Sequence, residues 1–275
     1  MTIGPAPNRV LVPVDLSGES ERAILPALRL ASRLDATVCL FSWSFDEGEA
    51  AAAKRYLIDL AGRLPAPASV QVTVTDDSSA APSIAGWAAR EGGTICMATI
   101  GRSGLGHALL GSVAEETLRL VDQPLVLVGP HVGDIPLGDR TALVAGVDGS
   151  ALSAAMLPVA SAWARRLGLP LHLVHVVEPG SPYPGVAGAL DALDRDRLAQ
   201  LVNQAAGEPP LEVDLLYGDP ATAIAGFADR HAELLAVATH GRTGLARAVL
   251  GSVALRTVHR AHCPVLVVRT LARSD

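Results

Sequence analysis

The stretch that decides the fold reads Ala238-Thr239-His240-Gly241-Arg242-Thr243-Gly244-Leu245, followed by Leu250-Gly251-Ser252-Val253-Ala254. It stands earlier in the chain as Ala98-Thr99-Ile100-Gly101-Arg102-Ser103-Gly104-Leu105 and Leu110-Gly111-Ser112-Val113-Ala114. The offset is 140 residues (241 − 101, 251 − 111), and nine residues separate Gly101 from Gly111 and Gly241 from Gly251. Nearer the start, Asp15-Leu16-Ser17-Gly18-Glu19-Ser20 matches Asp148-Gly149-Ser150-Ala151-Leu152-Ser153 at an offset of 133 (148 − 15). Two copies of one unit in tandem explain both offsets, with a net insertion of seven residues (140 − 133) in the second copy. Glu178 to Gly188, with Pro179, Gly180, Pro182, Pro184 and Gly185, reads as the longer loop. Gly129 to Arg140 holds Pro130, Gly133, Pro136 and Gly138, a composition unsuited to a helix or a central strand. The boundary is therefore placed there: one domain over residues 1–130, a linker over 131–140, and a second domain over 141–275.

Within copy one, Val10 to Val14 is a short apolar run and predicts a buried strand. Pro13 counts against a central position because it cannot donate to the ladder, but Leu143 to Val147 fills the same place in copy two without a proline. Ser20 to Leu34 repeats apolar residues at helical spacing, with Ser17 or Ser20 as its cap. Further strands are predicted over Thr37–Ser42, Val70–Thr75, Ile95–Thr99 and Leu125–Val128, and helices over Glu49–Leu64, Pro82–Arg90 and Ser112–Val121. Copy two repeats the order, with strands Leu143–Val147, Leu171–Val176, Glu212–Tyr217, Leu234–Val237 and Val265–Val268. The implied class is α/β: two tandem doubly wound five-stranded parallel sheets with helices on both faces. An unpaired apolar edge strand is an aggregation hazard. The two last strands are therefore expected to face each other across a pseudo-two-fold axis, as an intramolecular pseudo-dimer, and a homodimer of the whole chain is compatible with that arrangement.

Composition narrows the function classes. Of 275 residues, 49% are hydrophobic but only 3% aromatic, so the apolar content is Ala, Val and Leu, which suits parallel strands under Ala-rich helices. No apolar run reaches the roughly 18 residues that would span a bilayer, and Met1 to Asn8 has no signal-peptide pattern. A cytoplasmic protein is expected. The net charge of −6, without blocks of like charge, argues against nucleic acid or an anionic membrane as partner. Cys39, Cys96 and Cys263 form no CxxC or His/Cys cluster, so no metal site is expected and the thiols read as small buried hydrophobes.

In a doubly wound sheet, ligands bind at the carboxyl ends of the strands where the strand order reverses. The glycine loop after strand four, with Gly-Ser opening the next helix, stands at that place. Such a constellation suits phosphate: glycine permits close approach, free N–H groups donate, and the helix dipole favours anions. Ser112 and Ser252 can add hydroxyl donors. The alternative is that the glycines only turn the chain and the serines only cap helices.

An Asp ending strand one, then Gly-Arg-[Ser/Thr]-Gly-Leu, Leu-Gly-Ser-Val-Ala and [Cys/Gln]-Pro-[Val/Leu] before the last strand, resembles the universal stress protein family over nearly the whole chain. ATP-binding members of that family carry G-x-x-G-x9-G-[Ser/Thr]. The resemblance implies Asp148 near a ribose, Val176 near adenine, and Gly241, Gly251, Ser252 and Val253 around the phosphates of ATP, with Mg²⁺ as an accompanying ion. The matching set in copy one is Asp15, Gly101, Gly111, Ser112 and Val113. Both copies depart from the pattern at its first glycine, which is Ala98 and Ala238 here. Copy one also has Ile100 for His240, Trp43 for Val176, and Ser78-Ser79-Ala80 for Gly218-Asp219-Pro220. Trp43 either stacks on adenine or fills its place. The reading is an ATP-binding stress-response regulator without substantial turnover and with no catalytic residue assigned; a slow ATP hydrolase and a nucleotide-free interaction scaffold are the alternatives. No Walker-type Gly-Lys-[Ser/Thr] is present.

Overall fold

Val10, Leu11, Val12 and Val14 have no exposed surface, as a strand covered on both faces requires. In the computed structural model, which describes residues 9–74, 79–100, 110–133, 140–178, 211–240 and 250–270, this run is β1 (Arg9–Pro13). It pairs in parallel with β2 (Thr37–Ser44) on one side and β4 (Thr94–Ala98) on the other. With β3 (Ala68–Val74) and β5 (Leu125–Val128), the strand order of the first unit is β3-β2-β1-β4-β5. Pro13 is tolerated in this central strand for a local reason. Val14 N–H donates to Phe41 O at 2.8 Å, so the missing N–H of Pro13 would point to the other side, where the β1–β4 pairing ends at Leu11 and Ile95.

The predicted helix over Ser20–Leu34 is two pieces, α1 (Gly18–Glu21) and α2 (Ile24–Leu34). Pro26 sits in the first turn of α2, and its ring excludes the carbonyl of Arg22 four residues back from continuing a helix. Ser17, not Ser20, is the cap, accepting from Ser20 N. The unit is completed by α3 (Glu47–Gly62), α4 (Ala81–Glu91) and α5 (Ser112–Leu120). Helices α2 and α3 pack on the β1–β2–β3 side of the sheet, while α4 packs on α5 and β1. Right-handed crossovers explain why the two pairs fall on opposite faces.

The second unit repeats the plan. Its elements are β6 (Ala142–Val147), α6 (Ala151–Leu167), β7 (Leu171–Val177), β8 (Leu211–Tyr217), α7 (Pro220–His231), β9 (Ala232–His240), α8 (Ser252–Arg260) and β10 (Val265–Thr270). The strand order is β10-β9-β6-β7-β8, and every recorded pairing is parallel. Contacts divide the chain into units over Met1–Pro130 and His131–Asp275. The proline- and glycine-rich stretch after Glu178, much of the linker, and Thr75 lie outside the described residues.

Each unit carries its own apolar core, from Leu40, Ile84, Trp87 and Ile95 in the first to Leu143, Met156, Leu157 and Leu266 in the second. Cys39, Cys96 and Cys263 are free and buried, and burial pushes the Cys96 and Cys263 thiols up to about 12, which leaves them unreactive. No helix among the described residues is long and apolar enough to cross a membrane.

The junction between α4 and β4 shows how tightly the first core closes. Gly92 caps α4 at φ +67°, and at Gly93 a Cβ atom would stand 2.6 Å from the Trp87 ring and 2.8 Å from Arg9 O. Gly93→Ala must therefore displace a buried tryptophan or a strand carbonyl. It is expected to destabilise the first unit by about 1–3 kcal/mol, read as a lower midpoint in urea unfolding followed by tryptophan fluorescence.

Candidate functional site

The order reversal in each sheet lies beside its first strand, between β1 and β4 and between β6 and β9. At the carboxyl ends of these strands each unit opens a cavity, of about 300 Å³ in the first and about 310 Å³ in the second. Both volumes fall at the lower end of the range of small-ligand pockets.

The chain leaves the first strand through one turn, built the same way twice. Asp15 Oδ1 accepts from Ser17 N at 3.1 Å and from Ser17 Oγ at 2.5 Å. Ser17 Oγ accepts from Ser20 N at 3.3 Å, and Ser20 Oγ donates to Ser17 O at 2.8 Å while accepting from Asp15 N at 3.2 Å. In the second unit Asp148 Oδ1 accepts from Ser150 N at 3.0 Å, Ser150 Oγ from Ser153 N at 3.2 Å, and Ser153 Oγ from Asp148 N at 3.4 Å. This Asp-x-Ser-x-x-Ser net is why the aspartate and both serines recur, and it fixes the carboxylate at the cavity rim. The turn needs a positive φ after the aspartate: Gly149 supplies +76° freely, whereas Leu16 adopts +65° against its side chain. Burial raises the Asp148 carboxyl, but the hydrogen bonds from the Ser150 side chain and backbone, with those of Ser153 and its own N–H, outweigh it and hold the group below the ordinary carboxylate value.

The opposite side of each cavity is a helix N-terminus. Gly111 and Gly251 cap α5 and α8 in extended conformation, and neither helix has a side-chain cap bond. The first-turn N–H groups are therefore unclaimed by any capping side chain and, with the helix dipole, favour an anion. Gly111 is also required sterically: its N–H donates to Thr99 O at 2.7 Å, and a Cβ would lie 2.9 Å from that oxygen. At Gly251 a Cβ meets nothing within 4 Å among the described residues.

Of the residues singled out in the sequence, Asp15, Gly111, Ser112 and Val113 line the first cavity, and Asp148, Val176, Gly251, Ser252 and Val253 line the second. Gly101 and Gly241, with Arg102 and Arg242, lie outside the described residues. Sequence reading passed over Phe45, Glu49, Glu178 and Ile224, which also line the cavities. Phe45 and Glu178 stand just beyond strands β2 and β7, each of which runs past the predicted end, so the missed signal was strand length. Half-buried Trp43 lines the first cavity, whose volume nevertheless nearly equals that of the second; the indole is a wall and leaves the space open. Among the described residues, no lysine, arginine or histidine lines either cavity.

A model of the universal stress protein family matches residues 7–129 and again 140–269. A universal stress protein of Mycolicibacterium smegmatis is 29% identical over 288 residues, a match covering 94% of this chain and 96% of that protein. One of Mycobacterium tuberculosis is 31% identical over 182 residues, covering 64% of this chain and 61% of the relative, so this chain spans less than two thirds of that protein's length. Among solved structures, a universal stress protein from Archaeoglobus fulgidus shares the fold at TM-score 0.65 and 21% identity, covering 96% of this chain and 98% of that one. A functionally unknown protein from Pseudomonas aeruginosa matches at TM-score 0.65 and 19% identity, covering 96% of this chain and 93% of that one.

The Asp148 turn has a pH signature. A carboxyl whose folded value lies below its unfolded value stabilises the fold above the unfolded value, and that contribution is lost as pH falls through the folded value. The stability difference between the native chain and Asp148→Asn should be present at neutral pH and close on acidification below the ordinary carboxylate range. Urea unfolding at a series of pH values measures it; a pH-independent difference would show that the turn leaves Asp148 unperturbed.

Proposed function

The chain belongs to the universal stress protein family, and we propose that its two cavities are adenine-nucleotide sites that take ATP as a regulatory ligand in a stress response. One observation carries the reading: each unit gathers, in a single cavity at the strand-order reversal, a fixed carboxylate (Asp15 or Asp148) and a helix N-terminus without a side-chain cap (behind Gly111 or Gly251). The first suits the hydroxyls of a ribose, which donate to a carboxylate. The second suits phosphate oxygens, which accept from backbone N–H groups, with Ser112 or Ser252 as hydroxyl donors. Val176 in the second unit, and Trp43 with Phe45 in the first, offer the apolar surface against which a base packs. Mg²⁺ accompanying ATP would be held chiefly by the phosphates, with few protein carboxylates involved.

The sequence of the glycine loops argues for binding over turnover. Phosphoryl transfer requires a group that orients the attacking nucleophile and positive charge placed where the transferring phosphoryl develops its own. The basic side chains in the first turn of the glycine loops are Arg102 and Arg242, one in each copy, and a single arginine can stabilise phosphoryl charge without positioning water or metal. Binding energy directed equally at substrate and transition state gives affinity without rate.

The purified chain should release adenine nucleotide on denaturation and bind ATP by calorimetry. Gly251→Leu should abolish binding in the second unit with the fold retained. Gly111→Leu should remove less of the total, because the second unit combines Val176 with a pocket free of the aromatic wall. A single-turnover assay with labelled ATP and Mg²⁺ should give a rate far below the enzyme median of about 10 per second. Rapid phosphate release abolished by Asp148→Ala would replace this reading with hydrolysis, and the absence of any nucleotide binding would replace it with an interaction scaffold.

A further inference from the structure

The β7–β8 pair carries a second cluster of chemical groups, away from the cavity. His172 of β7 stands in register with Glu212 of β8, and Asp214 lies two residues further along the same face. His172 Nε2 is 3.4 Å from Glu212 Oε2, and its Nδ1 is 3.7 Å from Asp214 Oδ2. One potential ligand atom from each of the three residues lies within 4.8 Å of the others. Helix α7 closes the cluster from above: Phe227 and His231 approach the His172 ring with centroids 6.2 and 6.0 Å away, and His231 is stacked on it. Val176, which lines the nucleotide cavity, is four residues further along β7, roughly 13 Å at a strand's rise.

Two features set this cluster apart from an ordinary surface ion pair. The His172 side chain is only 12% exposed, and its Nδ1 is inaccessible to solvent with no hydrogen-bond partner among the described residues. A buried ring nitrogen left in that state costs free energy. Neither carboxylate has an arginine or lysine partner among the described residues, so two negative charges converge on one imidazole. The carboxylates themselves remain accessible, at 68% and 42% exposure, which leaves an entry path and room for water ligands.

We propose that His172, Glu212 and Asp214 form a binding site for a divalent first-row transition-metal cation, zinc being the natural probe. The ligand set is one imidazole nitrogen and two carboxylate oxygens, with water in the remaining position. A dication cancels the two converging carboxylates and, bound through Nδ1, satisfies the ring nitrogen that has no hydrogen-bond partner among the described residues. Imidazole selects zinc, nickel or copper over the hard ions Mg²⁺ and Ca²⁺, which prefer oxygen alone. Because the site joins β8 to β7 and to α7, its occupation stabilises the outer edge of the second unit by mass action.

The test uses the full-length chain, stripped with chelator and free of nucleotide. Calorimetry with zinc chloride should show a binding event that is absent with magnesium chloride and reversed by chelator. Eight histidines are present in the chain, so site-specific variants are needed. His172→Gln and the double variant Glu212→Gln/Asp214→Asn should each lose one equivalent of zinc or bind it at least ~10-fold more weakly. Zinc should raise the Tm of the native chain and leave that of either variant unchanged, with circular dichroism in chelator confirming that the variants fold. The ring protons of His172 should also shift in nuclear magnetic resonance spectra as zinc is added. Unchanged stoichiometry and affinity in both variants, no zinc binding by the native chain, or equal binding of magnesium would overturn the proposal.

Discussion

Everything in each unit hangs on a first strand whose two edges are both occupied. β1 is bonded to β2 on one side and β4 on the other, and β6 likewise to β7 and β9. A strand in that position is covered on both faces, so Val10, Leu11, Val12, Val14, Leu143, Val144 and Ala145 are fully buried. The handedness of parallel crossovers then sends the helices before and after the reversal to opposite faces as the strand order turns back. The crevice left where the helices part is where both cavities lie, and it is bounded on one side by the turn leaving the first strand and on the other by the helix after the fourth.

On this shared frame the two copies have diverged at the walls rather than in the cradle. The aspartate turn and the glycine-serine helix start recur with nearly the same hydrogen bonds. What changes is the lining of the cavity: Pro13 and Trp43 in one unit stand where Gly146 and Val176 stand in the other. Even the turn shows this, since Leu16 holds a left-handed conformation that Gly149 adopts without strain. The two cavities thus have nearly equal volumes and unequal walls.

The strands and helices were legible because their periodicities are set by local geometry and confirmed by the repeat. The misreadings are also physical. The helix predicted over Ser20–Leu34 breaks at Arg22 and Ala23 because Pro26 denies it a continuous ladder, a signal present in the sequence and passed over. Pro13 sits in a central strand because its absent N–H faces a point beyond the end of the β1–β4 pairing, which depends on where another strand stops. Phe45 and Glu178 escaped notice because strand ends are set by their neighbours' lengths.

What the sequence determined by itself is what short-range order carries: the tandem repeat, the α/β alternation, the aspartate turn and the glycine-serine helix starts. Each is written in residues close together in the chain, and having two copies makes each visible twice. What only the tertiary structure decided is what pairing and packing bring together. Parallel register places His172 beside Glu212 and Asp214 across a gap of 40 residues (212 − 172), which no local metal-binding spacing could announce. Packing likewise sets Trp43 as a wall of an open cavity instead of a plug, because the room left beside an indole depends on every element around it.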